Sequence, residues 1–87
     1  MYQVAFEPGV EKSLRRFGGS VQQRILTRLK WLAEHFDETK AEGLTGEFVG
    51  LLKFRIGDYR VIYRVDRKKK VITVAAVDHR RSIYGKS

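Results

Sequence analysis

The sequence predicts an α+β domain ordered β-α-α-β-β-β, in which a two-helix hairpin packs on one face of a mainly antiparallel four-stranded sheet. Three observations predict it. Apolar residues recur at helical spacing between Val10 and Phe36. They alternate at period two in residues 2–6 and again from Leu52 onward. A Gly57-Asp58 pair divides that second alternating stretch in two. The chain has 87 residues, which is one domain over residues 1–87 with room for a single core.

Each element follows from its own residues. Tyr2-Gln3-Val4-Ala5-Phe6 alternates and predicts the first strand. Pro8 suits the first turn of a helix, where its missing N–H costs nothing. Val10, Leu14 and Phe17 then share one face, Gly18-Gly19 ends the helix, and Ser20 is placed to cap the next. Val21, Ile25, Leu29, Leu32 and Phe36 line the second helix, with Trp31 at the border of that stripe. Residues 37–47 are polar and predict a loop, with Leu44 turned back toward the core. Leu52, Phe54 and Ile56 alternate with Lys53 and Arg55 before Gly57-Asp58, a pair suited to a type II′ turn. Tyr59, Val61, Tyr63 and Val65 alternate with Arg60, Ile62 and Arg64. After the basic loop Arg67, Lys68, Lys69, Lys70, residues 71–77 predict the most buried strand.

Composition excludes several classes. The chain has no cysteine, so disulfides, thiolate catalysis and cysteine-based zinc sites are ruled out. The longest mainly apolar run, residues 71–77, is far short of the roughly 20 residues that span a bilayer. Met1-Tyr2-Gln3-Val4 lacks the charged-then-apolar pattern of a signal peptide. The expectation is a cytoplasmic protein without membrane contact. The formal net charge is +8, and all of it lies after Gly50. Up to that point seven basic residues balance seven acidic ones; beyond it eleven basic residues face three acidic ones. Such asymmetry points to a polyanion or an acidic protein as partner, against the alternative of a basic surface kept for solubility.

The hairpin turn sets a register. Ile56 faces Tyr59, Arg55 faces Arg60, Phe54 faces Val61, Lys53 faces Ile62, and Leu52 faces Tyr63. The face carrying Leu52, Phe54, Ile56, Tyr59, Val61 and Tyr63 should take the helices. The other face carries Lys53, Arg55, Arg60 and Arg64, with no acid from these two strands to offset them. Arg55 opposite Arg60 is locally unfavourable, and cations gathered at a local cost suggest an anion site, most simply for phosphate. Asp78-His79-Arg80-Arg81-Ser82-Ile83-Tyr84 follows the last strand and adds an imidazole, two guanidiniums and a phenol.

These residues resemble the RelE/ParE toxin superfamily of type II toxin–antitoxin systems. The likeness rests on Lys12 and Leu14, on Leu44-Thr45-Gly46, and on the stretch from Leu52 to Tyr63 with its Arg-x-Gly-Asp-Tyr-Arg-x-x-Tyr core. It is completed by the ending His79-Arg80-Arg81-Ser82-Ile83-Tyr84. Within the superfamily the chain is similar to the RelE branch, whose members resemble a small microbial ribonuclease in fold and cut messenger RNA in the ribosomal A site. The resemblance implies Lys53, Arg55, Arg60, Arg80 and Tyr84 as the active set, with His79 fitting members that carry a histidine before the arginine. Arg55 stands where many relatives have lysine. Glu42 falls where some relatives place a catalytic glutamate, although its loop position favours a solvated carboxylate. The resemblance also implies a RelB-like antitoxin, and a higher-order toxin–antitoxin complex that binds operator DNA through the antitoxin.

The chemistry expected is independent of metal and cofactor, because no Asp/Glu/His cluster has metal-ligand spacing. RNA's own 2′-OH would attack the adjacent phosphate. Arg60 and Arg80 would clamp that phosphate, and Arg55 would add charge. Lys53 or His79 would serve as the acid, with base and acid interchangeable at this stage, and Tyr84 would stack or orient. Arg64, Lys68, Lys69, Lys70 and Arg81 would hold more of the RNA. The competing expectation is a ParE-like toxin that poisons DNA gyrase by contact, without catalysis.

Overall fold

Alternating strands and one long amphipathic helix place the core between two layers. The structure, a computed structural model, describes residues 1–39, 42–43 and 50–79. Its elements are β1 (Gln3–Phe6), α1 (Val10–Leu14), α2 (Gly19–His35), a 3-10 turn (Phe36–Glu38), β2 (Glu42–Gly43), β3 (Leu52–Ile56), β4 (Tyr59–Asp66) and β5 (Val71–His79). The sheet runs β1-β5-β4-β3-β2, with β1 parallel to β5 and every other pairing antiparallel.

The sheet has five strands where the sequence predicts four. The extra one is β2, whose two residues pair with Lys53 and Leu52 inside the stretch read as a loop. A two-residue edge strand has no alternation to detect, and edge strands are commonly this short. Leu44 lies outside the described residues.

Two helix starts differ from expectation, the first because glycine supplies a left-handed turn. Glu7, Pro8, Gly9 and Val10 form a turn closed by Val10 N donating to Glu7 O at 3.1 Å. Gly9, at φ 89° and ψ −19°, occupies the left-handed position of a type II turn. Pro8 therefore precedes α1 instead of opening it. α1 is a single short run, yet Phe17 beyond it still packs, its ring centroid 5.0 Å from that of Tyr59. At α2 the cap is Gly18, extended at ψ 160°, and Ser20 lies within the first turn. Gln22 Nε2 donates to Phe17 O at 2.7 Å across that junction.

The α2 stripe is as predicted. Ile25, Leu29, Leu32 and Phe36 are buried, and Val21 packs against the cluster. Opposite them sit Val61, Tyr63, Ile72, Val74 and Val77, with Tyr2, Val10 and Leu14 filling the ends. Trp31 lies at the border, stacked 6.4 Å from Phe54 and 4.6 Å from His35, with the Arg28 guanidinium 4.7 Å over its ring. Burial raises the phenol of Tyr63 above its ordinary pKa, while nearby Arg67 opposes the shift. The Tyr2 phenol is raised too, by burial and by donating to Asp37 Oδ1 at 3.2 Å.

Candidate functional site: the outer face of the sheet

The β3–β4 hairpin has the register the sequence predicts, from Leu52↔Tyr63 to Ile56↔Tyr59, with Arg55 opposite Arg60. Gly57 has φ 59°, while Asp58 keeps a negative φ. That combination belongs to a type II′ turn and matches the right-handed twist of the strands it joins. The turn thereby puts Lys53, Arg55, Arg60 and Arg64 on the face away from the helices, since directly opposed residues share a face.

β5 decides what joins them. Its register against β4 shifts between Ile62↔Ala76 and Tyr63↔Val74, leaving Ala75 as an extra residue. Such a bulge reverses the alternation that follows. Ile72 and Val74 point to the core before it, and Val77 does so after it. Asp78 consequently sits opposite Arg60, and His79 sits opposite Tyr59 on the helix side. The imidazole lies edge-on to the Tyr59 ring at 5.1 Å. This corrects the expectation that His79 shares the cationic face. Strict alternation from Ile72 would have placed it there, and the bulge at Ala75 undoes that count.

The cations themselves are unequal. Arg55 is exposed and Lys53 is half-buried, but Arg60 is only 8% exposed. One carboxylate joins the row from a neighbouring strand, Asp78 opposite Arg60, and the β2 backbone at Glu42 is in register with Lys53. Arg64 is ion-paired with Glu7, which leaves β1 on the same face. That pairing gives Arg64 an acidic partner within the chain, which an RNA phosphate would have to share or displace. The acid came from β1, beyond the two strands from which the face was read. Lys68, Lys69 and Lys70 lie at the opposite end of β4 from Arg60, on the order of 20 Å away at about 3.3 Å per residue. Arg80, Arg81 and Tyr84 lie outside the described residues.

One further cation was missed. Arg24 of α2 reaches over the hairpin turn, its Nη1 3.1 Å from where a Gly57 Cβ would stand. A Cβ at Gly57 would press on that guanidinium, which would have to shift by a few tenths of an ångström. The sequence signal was faint: Arg24 falls on the polar side of α2 and looks like any solvated residue. Among the described residues, no group of three or more His, Asp or Glu is placed to hold a metal. None of their helices is long and apolar enough to cross a membrane.

The class of this two-helix layer on a mixed sheet is given by a family model, which places the chain among the toxins of type II toxin–antitoxin systems. Solved structures share the fold. In the RelBE2 toxin–antitoxin complex from Mycobacterium tuberculosis the similar chain gives a TM-score of 0.80 at 23% identity, with 90% of this chain and 96% of that one covered. For the RelE–RelB complex of Pyrococcus horikoshii the values are 0.68 and 28%, covering 99% and 98%. For isolated E. coli RelE they are 0.73 and 25%, covering 91% and 84%. The family model for the ParE toxin of the type II toxin–antitoxin system parDE matches residues 4–84, and the chain belongs to that family, within the RelE/ParE superfamily. No curated protein sequence matches the chain.

Proposed function

We propose that this toxin is a ribosome-dependent endoribonuclease. It cleaves messenger RNA in the A site, in the cytoplasm, and is restrained by a RelB-like antitoxin. The observation that carries the reading is the cross-strand group Lys53, Arg55 and Arg60 on the outer face, beside a strand end that leads into Arg80 and Tyr84. Like charges held directly opposite one another weaken a sheet, so their retention is best explained by an anionic substrate. The RelE likeness at 25% and 28% identity supports the same reading.

In this mechanism the substrate 2′-OH attacks the adjacent phosphorus and the 5′ oxygen leaves, giving a 2′,3′-cyclic phosphate. Arg60 and Arg80 hold the phosphate, and Arg55 adds charge as the transition state gains it. Lys53 transfers a proton. His79 borders the site from the helix side, and Tyr84 orients or stacks. The antitoxin blocks this face, and the resulting hetero-oligomer binds operator DNA through the antitoxin.

The test maps messenger RNA 5′ ends on purified translating ribosomes with and without the protein. A-site cuts, lost when the scissile nucleotide is 2′-deoxy, are the expected result. A second reading, gyrase poisoning by contact, is favoured by the ParE description of the family and by the burial of Arg60, which a phosphate clamp must overcome. Intact messenger RNA together with inhibited supercoiling by purified gyrase would establish that reading instead.

A further inference from the structure

The basic turn between β4 and β5 stands apart from the candidate site. Arg67, Lys68, Lys69 and Lys70 are consecutive and all exposed. Three contacts fix the turn: Lys69 N donates to Asp66 Oδ1 at 3.0 Å, Gln3 N donates to Lys70 O at 2.9 Å, and the Arg67 guanidinium lies 5.1 Å over the Phe36 ring. Lys70 adopts φ 55°, a left-handed conformation that glycine or asparagine takes at less cost. A turn selected for folding alone would place glycine there and would not align four like charges on so short a segment.

We propose that this turn is a docking surface for the phosphate backbone of duplex RNA, separate from the face that carries Arg55 and Arg60. The inference rests on the proposed RNA-directed function and adds a second point of attachment to it. The backbone that carries the cations is fixed by these contacts, so the segment itself needs little ordering when it meets phosphate. Among the described residues, the turn offers no exposed ring on which an unpaired base could stack. Tyr2, Phe36 and Tyr63 beneath it are buried, and the exposed Trp31 lies against β3 instead. Single-stranded RNA sites depend on such rings, whereas duplex backbones require only placed charge. The cores of protein interfaces are poor in lysine, which disfavours the antitoxin as occupant. Separation along β4 lets one end of the sheet hold the strand to be cut while the other grips structured RNA beside it.

The test uses the full chain and a Lys68→Ser/Lys69→Ser/Lys70→Gly variant, in which glycine suits the left-handed position. Binding to a 16-base-pair RNA duplex and to purified ribosomes is measured across a salt series, with thermal melting as a folding control. The expected result is affinity for the duplex and for ribosomes weakened about tenfold or more, with the slope of log affinity against log salt reduced by roughly two to three, near 0.9 per lost phosphate contact. The melting temperature should hold or rise. Unchanged duplex affinity and slope would overturn the proposal. So would a loss confined to antitoxin affinity, which would make an acidic protein the occupant. A wild-type protein that cuts no messenger RNA but binds duplex through this turn would sink the nuclease function and leave this surface standing.

Discussion

The helix-side face and the outer face of the sheet are woven from the same strands, alternate residues serving each. On the helix side Val61, Tyr63, Ile72 and Val74 are at most 1% exposed, and α2 fits over them. On the outer side the same strands present Arg55, Arg60, Arg64 and Asp78. The first face is satisfied within the chain. The second holds Arg55 directly opposite Arg60, a like-charge pair that weakens the sheet locally, which is the usual mark of a surface with a task elsewhere. Mutations should therefore separate the faces by what they change, stability on one and function on the other.

The largest effect belongs to the sealed face. Leu29, 1% exposed in the middle of α2, should cost about 2–5 kcal/mol when truncated to alanine, because the fold is too small to refill the cavity. Chemical denaturation would register this as a lower midpoint with little change in slope. A loss below about 1 kcal/mol would mean that the interface between helices and sheet is looser than its burial implies.

Arg60 blurs the division and comes next. Its 8% exposure and its place opposite Asp78 give it a structural share that the hairpin alone did not reveal. Arg60→Ala should cost about 1–3 kcal/mol, in the range for removing a buried group with polar partners. Arg55→Ala, at an exposed position, should stay within about 0.5 kcal/mol of wild type. Both should depress messenger RNA cleavage by about tenfold or more in single-turnover assays. Equal stability losses for the two would break the contrast between a clamped and a solvated cation.

How much of this was legible follows the same division. The hairpin register and the α2 stripe could be read because alternation and helical spacing are properties of the residues themselves. Gly57-Asp58 fixed the turn, and every pair from Leu52↔Tyr63 to Ile56↔Tyr59 followed from it. The bulge at Ala75 was not legible, since alanine fits either face and nothing in Val74-Ala75-Ala76-Val77 marks the extra residue. That one residue carries His79 to the Tyr59 side. The Glu7–Arg64 pair and the approach of Arg24 to Gly57 were also hidden, because each joins elements distant in sequence. The candidate site was thus readable where one hairpin builds it and obscure where other elements reach in.

Alkaline pH offers a gentler probe of the sealed face. The buried Tyr63 phenol has its pKa raised in the folded chain, so the native state holds that proton more tightly than the unfolded chain does. The associated stability is complete below the unfolded value near 10 and is lost as pH rises through the folded one. Denaturation midpoints should be flat in this respect up to about pH 9 and then fall. Tyr63→Phe should fall less steeply over the same range, with Tyr2, also raised, accounting for part of the remaining decline. Identical alkaline slopes for wild type and Tyr63→Phe would show that the phenol is solvated in solution.

The smallest effect tests the outer face at its quietest point. Glu7 and Arg64 are paired with side chains 30% and 55% exposed, and water and salt screen such a pair strongly. Glu7→Gln should therefore cost no more than about 1 kcal/mol, with the difference shrinking as salt is added. The same change releases Arg64 beside the cationic row and raises the net charge by one. If that row acts as a continuous field for RNA, affinity for a messenger RNA oligonucleotide should increase modestly at low salt and the increase should fade at high salt. An unchanged affinity would confine RNA contact to the Lys53, Arg55 and Arg60 end of the sheet. A substantial loss of stability would show instead that the pair is a structural clasp between β1 and β4, with the outer face partly built for folding after all.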